Sequence, residues 1–478
     1  MKLIFDVSDK PKAGQLVVFA LQQMLAILAA TIAVPLIIGN GLTPAAAMFG
    51  AGVGTIVYIL FTKRKSPVFL GSSFAFLGSM AAAFAGGVSM QLGMLGLIIG
   101  ALLAGLVYVV IAIVVKFVGV GWLNKLMPAV VIGPTVAIIG LSLAGNAIGD
   151  LLKGDVTKQV TEYVVSTDSG TPEIIENVSN VPVGSSYVAL ICGLITLAVV
   201  MLCSAYGKKT LRLIPFIIGI LAGYAAAAIF TVIGNICDID ALKIVDLSVF
   251  SSYMLTDGSI SLKTFVSLPD FAFVSGLKGL KEFDFSYFAT IFVAYVPVAL
   301  VVFAEHVADH KNLSSIIDHD LLEEPGLTRT LLGDGVGSIA GALFGGCPNT
   351  TYGESVACVA ITGNASVVTI FAAAIGCMLF SFITPLVAFV DSIPACVMGG
   401  VCIALYGFIA VSGLKMIQDV NLDDNRNLFV VSVILIAGIG GLTLTFGDIT
   451  LTEVAAALIL GILTNVMLSK KKGSADKK

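Results

Sequence analysis

The sequence contains little charge: Asp, Glu, Lys and Arg make up 12% of its 478 residues, and apolar residues make up 58%. A soluble domain typically carries about twice that charged fraction. The net charge of −4, without a basic patch, argues against a nucleic-acid partner. The eight Cys residues contain no metal-type CxxC pair and are scattered through apolar runs. This pattern favours small buried residues and indicates neither a disulfide framework nor a zinc site.

Long apolar runs dominate the sequence. A membrane-spanning helix needs ~20 mostly apolar residues, and the first such run begins at Leu16, so we expect no removable signal peptide. We predict an all-α polytopic membrane protein with fourteen transmembrane segments. Their approximate bounds are 15–38, 43–61, 68–86, 91–116, 127–148, 187–204, 212–235, 287–310, 329–346, 349–363, 366–389, 394–413, 428–446 and 450–468.

The basic residues predict the orientation of these segments. With fourteen segments and the N-terminus inside, clusters such as 63–65, 208–212 and 470–472 lie on the cytoplasmic side. The acidic loops 149–186 and 236–286 then lie outside. We therefore expect a multi-pass protein of the cell membrane whose N- and C-termini are both cytoplasmic.

Two pairs of short sequences repeat seven segments apart. Residues 128–133 and 394–399 match at Pro, Ala, Val and Gly, and residues 67–74 and 348–354 both begin with Pro, turn at Gly and carry hydroxyls. Segments seven apart run in opposite directions, so the pattern predicts two inverted seven-segment repeats. Paired broken helices in such repeats place a substrate site near the bilayer midplane.

The stretch 345–357 is unlike an uninterrupted membrane helix. It contains two Gly, a Pro, an Asn, two Thr and the sequence Tyr352-Gly353-Glu354. Non-helical backbone at membrane depth occurs only where protein or a water-filled cavity surrounds it. A carboxylate there indicates a functional site. We expect an extended segment that meets a half-helix, with Glu354 facing a binding cavity.

The segment 287–310 carries a second polar group of residues near its end. Glu305 and Asp309 share one helix face, and His306 and His310 share the next. Glu305 follows a long apolar run and is a candidate functional residue. For Asp309 and His310, a solvated helix end is an equally good interpretation.

Neither polar group has the pattern of an enzyme. The spacing of His306 and His310 suits zinc, but Glu305 precedes the first His and no third ligand is evident. The sequence from Gly353 to Ala357 lacks the final Gly of a nucleophile elbow. We therefore expect no catalytic residue, no metal and no cofactor.

Three motifs resemble the uracil permease branch of the nucleobase–ascorbate transporter (nucleobase–cation symporter-2) family. They are Leu70-Gly71-Ser72-Ser73-Phe74-Ala75-Phe76, Glu305-His306-Val307, and Pro348-Asn349-Thr350-Thr351-Tyr352-Gly353-Glu354. The resemblance covers nearly the whole chain and implies short strands in segments three and ten, a homodimer, and proton-coupled import of a nucleobase, uracil above all. It also implies a core domain of segments one to four (15–116) and eight to eleven (287–389), and a gate domain of segments five to seven (127–235) and twelve to fourteen (394–468).

The resemblance also implies roles for single residues. Glu305 and Glu354 would hydrogen-bond the base, Phe74 and Gly353 would offer backbone contacts, Tyr352 would wall the pocket, and Ala30 would pack against the ring. Glu305, Asp309 and Glu354 would carry the coupling proton, because burial favours the neutral form of a carboxyl group.

Four departures from the family pattern put the exact base in doubt. Gln22-Gln23 replaces a Gln-His pair, Asp309 stands where uracil carriers often have His, Ser355 and Ala357 replace Asn and Gly, and Gly363 replaces a frequent Arg. A xanthine or guanine permease is therefore an alternative within the family. An anion transporter of the sulfate type fits the carboxylates less well, and a small-solute channel would need a ring of like charges or a pore motif.

Overall fold

The computed structural model of this chain describes residues 3–119, 128–166, 173–208, 211–212, 214–254, 259–446 and 449–469. In the first half of the chain the helices and strands are α1 (Ala13–Ile38), α2 (Pro44–Phe61), β1 (Leu70–Ser72), α3 (Leu77–Ala83), α4 (Met90–Val118), α5 (Ala129–Ser142), α6 (Ala144–Leu151), β2 (Thr157–Ser166), β3 (Glu173–Pro182), α7 (Ser186–Tyr206) and α8 (Pro215–Cys237). In the second half they are α9 (Ser248–Met254), α10 (Ala272–Gly276), α11 (Phe285–Ile317), α12 (Leu327–Gly345), β4 (Asn349–Thr351), α13 (Gly353–Thr362), α14 (Val367–Phe380), α15 (Thr384–Asp391), α16 (Ala395–Met416), α17 (Asn425–Ile439), β5 (Leu444–Phe446), β6 (Ile449–Leu451) and α18 (Glu453–Leu468).

Several helices begin at a residue that caps the first turn. The Thr43 hydroxyl accepts a hydrogen bond from the backbone N–H of Ala46 before α2, which starts at Pro44. Ser89 caps α4 and Asp284 caps α11 in the same way. These side chains satisfy backbone N–H groups that have no partner inside the helix.

The described residues contain eight helices that are long and apolar enough to cross a membrane. They are Ala13–Ile38, Pro44–Phe61, Met90–Val118, Ala129–Leu151, Ser186–Tyr206, Pro215–Cys237, Phe285–Ile317 and Ala395–Met416. The chain is therefore a mostly helical, multi-pass membrane protein, as the composition predicts. Five of the remaining predicted segments contain shorter helices, and the sixth contains α12, which has 19 residues but is not among the eight. The count of fourteen stays a prediction.

Three regions of the chain have a form that the sequence analysis did not predict. Residues 366–389 form two helices, α14 and the start of α15, with a break between Phe380 and Thr384. The segment 428–446 ends its helix at Ile439 and continues into β5. The predicted loop 149–186 contains the antiparallel hairpin of β2 and β3.

The chain divides into two compact units. The first comprises Met1–Leu143, Val266–Val387 and Leu405–Lys478, and the second comprises Ala144–Phe265 and Ala388–Ala404. The division into a core domain and a gate domain stays a prediction.

Glycines let the helices of the first unit approach closely. A Cβ at Gly50 of α2 would lie 2.4 Å from the Gly341 carbonyl oxygen of α12, and one at Gly54 would lie 2.8 Å from that of Gly337. Small residues allow close backbone contact where helices pack in a membrane. In the second unit a Cβ at Gly400 would lie 2.3 Å from the Gly193 carbonyl oxygen.

The two predicted short strands are present and pair with each other. β1 and β4 are antiparallel, with Leu70 opposite Thr351, Gly71 opposite Thr350 and Ser72 opposite Asn349. All six residues are buried. Backbone groups cannot remain unpaired at membrane depth, so each strand supplies the hydrogen bonds that the other needs. The pair ends where two helical segments begin, at Phe74 and at Gly353.

Candidate functional site

A small cavity with a volume of about 50 Å³ lies beside the paired strands β1 and β4. Five of its lining residues are ones for which the sequence predicted a binding role: Phe74, Glu305, Tyr352, Gly353 and Glu354. Six others were not predicted: Ser73, Ala75, Ile139, Thr350, Thr351 and Ile409. The structure thus brings the three quoted motifs, which are far apart in sequence, to one cavity.

Two carboxyl groups face this cavity from different helices. Glu305 projects from α11 and Glu354 from the first turn of α13, and both are half-buried. Neither forms an ion pair with any residue that the structure describes. A carboxylate in the first turn of a helix is favoured by the partial positive charge of that end. The cavity therefore presents hydrogen-bond acceptors that are available to a ligand with N–H donors.

Tyr352, which follows β4, contacts the paired strand β1. Its hydroxyl donates a hydrogen bond of 2.8 Å to the Ser72 carbonyl oxygen. Its ring covers Gly71, where an added Cβ would lie 2.3 Å from the ring. Gly71 is thus required by the close approach of the aromatic ring.

Asp309 lies beside the cavity and is not a solvated helix end. The Thr351 hydroxyl donates a hydrogen bond of 2.9 Å to its Oδ2 atom, and a Cβ added at Gly353 would lie 3.8 Å from its Oδ1 atom. The helix α11 continues to Ile317, well beyond the predicted end at residue 310. His310 is completely buried within this longer helix, so the helix-end interpretation is wrong for both residues.

The two histidines of α11 are packed behind the cavity. Their rings lie 4.0 Å apart, centroid to centroid. His306 Nδ1 lies 2.7 Å from Oδ2 of Asp334, which is fully buried in α12. The sequence analysis did not select Asp334, although a single acid in the segment 329–346 is the signal that marks such residues. Among the described residues, no group of three or more His, Cys, Asp or Glu could hold a metal ion.

Ser355 connects three segments on the other side of the strands. Its Oγ atom accepts hydrogen bonds from the Gln23 side-chain amide and from the backbone N–H of Phe69. The departures at Gln23 and Ser355 therefore form one hydrogen-bonded pair. Ala30 is buried in α1 and is not among the residues that line the cavity, so its contact with a ligand stays a prediction.

Broken helices that meet at a polar cavity within the membrane define the class of small-solute transport proteins. The model of the Xan_ur_permease family, described as "Permease family", matches residues 14–175 and 169–446. This chain belongs to that permease family.

Three relatives cover almost the whole chain. The uracil permease of Bacillus caldolyticus is 36% identical and the match covers 99% of this chain and 97% of that protein. The uracil permease of Bacillus subtilis (strain 168) is 34% identical, with 98% and 96% covered. The uracil permease of Escherichia coli (strain K12) is 33% identical, with 95% and 92% covered.

Solved structures of transporters share the fold. The transmembrane domain of the cyanobacterial bicarbonate transporter BicA superposes with a TM-score of 0.56 at 13% identity, covering 96% of this chain and 100% of that one. Murine Slc26a9, an anion transporter in the inward-facing state, superposes with a TM-score of 0.59 at 12% identity, covering 96% and 69%. At this identity the similarity concerns the fold alone.

Proposed function

We propose that this protein imports a nucleobase, uracil, across the cell membrane by proton symport with alternating access. The observation that carries the proposal is the meeting of Glu305 and Glu354 at one cavity, where two paired strands end. The relatives named uracil permease, at 33–36% identity over nearly the full length, support uracil as the base.

The chemistry of the cavity suits a pyrimidine. Uracil is a small neutral ring with two N–H donors and two carbonyl acceptors. Glu305 and Glu354 accept hydrogen bonds from the N–H groups, and backbone N–H groups near Phe74 and Gly353 donate to the carbonyl oxygens. Tyr352 closes one wall, and Ala30 reaches the ring in the substrate-bound state. No catalytic residue, cofactor or metal is part of this function.

The proton is carried by the carboxyl groups of the site. Glu305, Asp309 and Glu354 lie close together in a low-dielectric region, where like charges repel strongly. One of the three therefore holds a proton near neutral pH. Binding of the base changes which carboxyl is ionised, and this change couples substrate to proton.

The architecture we propose for the cycle contains fourteen segments in two inverted sevens. The segments of 15–116 and 287–389 form a core that carries the substrate, and those of 127–235 and 394–468 form a gate against which the core moves. The protein assembles as a homodimer in the lipid bilayer, with both termini in the cytoplasm. The basic clusters on the predicted inner side support this orientation.

A competition assay tests the choice of base. Uptake of radiolabelled uracil by cells that express the protein should be inhibited by unlabelled uracil and little by xanthine, hypoxanthine or adenine. Strong inhibition by xanthine would instead favour the purine branch of the family. Uptake that does not saturate with uracil concentration would favour a small-solute channel.

A further inference from the structure

A continuous chain of buried polar groups runs through the first unit beside the cavity. The Tyr58 hydroxyl lies 2.6 Å from Nε2 of His310 and 2.7 Å from Oγ of Ser66. All three side chains are fully buried. The proposed function, which uses the carboxyl groups of the cavity, assigns no role to these residues. Buried polar groups linked in this way can pass a proton along their hydrogen bonds.

The hydrogen bonds of His310 fix the direction in which the hydroxyl groups of Ser66 and Tyr58 donate. Its Nδ1 atom lies 2.8 Å from the His306 carbonyl oxygen, which can only accept, so Nδ1 carries a hydrogen. In the neutral ring Nε2 is then an acceptor. The Tyr58 hydroxyl therefore donates to Nε2, and the Ser66 hydroxyl donates to Tyr58. The donors thus point from Ser66 toward His310, as a proton entering at Ser66 requires.

His306 is hydrogen-bonded at both ring nitrogens and holds a proton in common with Asp334. Its Nε2 lies 3.0 Å from Oγ1 of Thr330, which itself donates to the Leu327 carbonyl oxygen. Nε2 therefore donates to Thr330. The short contact between Nδ1 and Asp334 then needs one further proton, located on either partner. This pair sits 4.0 Å from the His310 ring, close enough for a charge on one ring to disfavour a charge on the other.

On the side of His306 and Asp334, the buried polar groups approach the cavity. Oδ1 of Asp334, the hydroxyl of Tyr108 and Oγ1 of Thr350 are among the nine buried side-chain oxygen atoms that have no hydrogen-bond partner in the part of the chain that the structure describes. Thr350 lines the cavity, and Tyr108 packs its ring edge-on against His306. Buried polar atoms of this kind commonly bind ordered water, which would join Asp334 to the cavity.

At the other end of these hydrogen bonds, Ser66 adjoins an exposed loop in the sequence. Ser66 is the first buried residue after Lys63, Arg64 and Lys65, which are all exposed. This loop is one of those that the basic residues place on the cytoplasmic side. Ser66, which is fully buried, thus directly follows the exposed residue Lys65.

We propose that Tyr58 and Ser66 form the route by which His310 gains and loses a proton from the side of the loop at 62–66, and that the resulting charge on His310 controls when the cavity carboxyls release the coupling proton. The inference rests on the proposed proton symport. When a proton moves from the loop to His310, it binds the Ser66 oxygen. The Ser66 proton then moves to Tyr58, and the Tyr58 proton moves to Nε2 of His310. Each hydroxyl breaks one O–H bond and forms another, so only His310 gains charge. Release to the loop is the same sequence reversed.

Several other titratable groups face this route. They are Asp334 on α12 and Asp309 on α11, which interact electrostatically with Tyr58, and His306, whose ring stacks on that of His310. A positive charge on His310 favours the ionised form of these carboxyl groups. Protonation of His310 is thereby linked to the ionisation of the carboxyl groups at the cavity.

The test uses the purified full-length protein in vesicles that contain a pH-sensitive dye. Uracil added outside should acidify the interior of wild-type vesicles. Tyr58→Phe keeps the ring and removes the hydroxyl that links His310 to Ser66. We expect its rate of acidification to fall about tenfold or more, as for loss of a proton-transfer group. Its dissociation constant for uracil should stay within about twofold, because the hydroxyl does not face the cavity.

The matched control is Tyr295→Phe. Tyr295 is equally buried, and its hydroxyl has no hydrogen-bond partner among the described residues. This variant should acidify at the wild-type rate. Ser66→Ala removes the last hydroxyl with a smaller change, and it provides the same test should Tyr58→Phe not fold.

The outcomes separate this inference from the proposed function. Slow acidification by Tyr58→Phe or Ser66→Ala, together with normal uracil binding and normal uracil–uracil exchange, supports the route. Wild-type acidification by both variants overturns the route and leaves the symport intact. Wild-type protein that binds uracil without acidification overturns the symport and the route with it.

Discussion

Thr351 donates a hydrogen bond of 2.9 Å to Asp309 and so joins the three-residue strand β4 to the interior of helix α11. The bond places the Asp309 carboxyl beside Gly353, at the edge of the cavity. A residue that the sequence alone allows at a solvated helix end is thereby bonded to Thr351, which lines the cavity. This position makes Asp309 a candidate proton carrier, in the place where related uracil carriers often have His.

Asp309→Asn should uncouple proton from substrate. The substitution keeps the size of the side chain and an acceptor for Thr351, but it removes the titration. We expect uracil binding within about threefold of wild type, with loss of accumulation or a shifted pH dependence of uptake. The matched control is Thr351→Val, which removes the hydrogen bond and keeps the carboxyl. An unchanged pH profile and unchanged accumulation in Asp309→Asn would show that Asp309 carries no proton.

Glu305→Gln and Glu354→Gln should each weaken uracil binding. A hydrogen bond to a charged group contributes ~1.5–3 kcal/mol, so the loss corresponds to roughly tenfold or more in affinity. Truncation to Ala at either position should abolish uptake. The measurement is binding of radiolabelled uracil to purified protein of confirmed monodispersity.

Glu324→Gln is the control for these variants. Glu324 is an exposed acid that pairs with Lys65, away from the cavity, and its substitution should leave binding unchanged. Near-normal binding by either cavity variant would remove that glutamate from the site.

Gly71→Ala should destabilise the protein and lower uptake. The added methyl group would lie 2.3 Å from the Tyr352 ring, so the ring or the strand pair must move. Overpacking of this kind costs about 1–3 kcal/mol, and we expect a lower melting temperature in detergent. Gly14→Ala adds a methyl group that meets no atom within 4 Å and should melt as wild type does. Equal melting temperatures for the two variants would contradict the packing described for Tyr352.

Asp155 should make the stability of the second unit depend on pH. Burial, together with the charges of Asp246 and Asp150, raises the pKa of Asp155 to about 6, although the Ala395 N–H donates to its carboxylate. Between about pH 4 and about pH 6 the folded state then binds more protons than the unfolded state, so the free energy of unfolding falls as pH rises through this window. The change is on the order of 1 kcal/mol because Asp155 is partly exposed.

Asp155→Asn isolates this effect. It keeps an acceptor for Ala395 and should flatten the pH dependence of the melting temperature between about pH 4 and about pH 6 relative to wild type. Asp320→Asn, which alters an exposed acid, should retain the wild-type slope. A wild-type slope in Asp155→Asn would show that another group is responsible.

The sequence predicted the cavity because several residues at it are unusual in an apolar membrane helix. Pro, Gly and hydroxyl residues within apolar runs mark non-helical backbone, and they indicated broken helices at the two places where the family resemblance implied short strands. The carboxyl groups of Glu305 and Glu354 stood out for the same reason: charge is costly in such a segment. These are local signals, and one chain is enough to detect them.

Other features depend on contacts between distant residues. The pairing of Leu70 with Thr351 follows from packing of α2 and α12 that no local pattern encodes. The burial of His310 depends on packing between distant segments, because the hydroxyl of Tyr58 from α2 lies against its ring. Asp334 carried a local signal, yet its partnership with His306 becomes visible only once two helices are placed side by side.

The most direct test of the central claim is uracil accumulation by the purified protein in vesicles with an imposed pH gradient. With the exterior acidic and the interior alkaline, the account predicts saturable uptake to an internal concentration above the external one. A protonophore should collapse that accumulation to equality. Uptake that reaches only equality, at a rate indifferent to the gradient, would contradict proton symport.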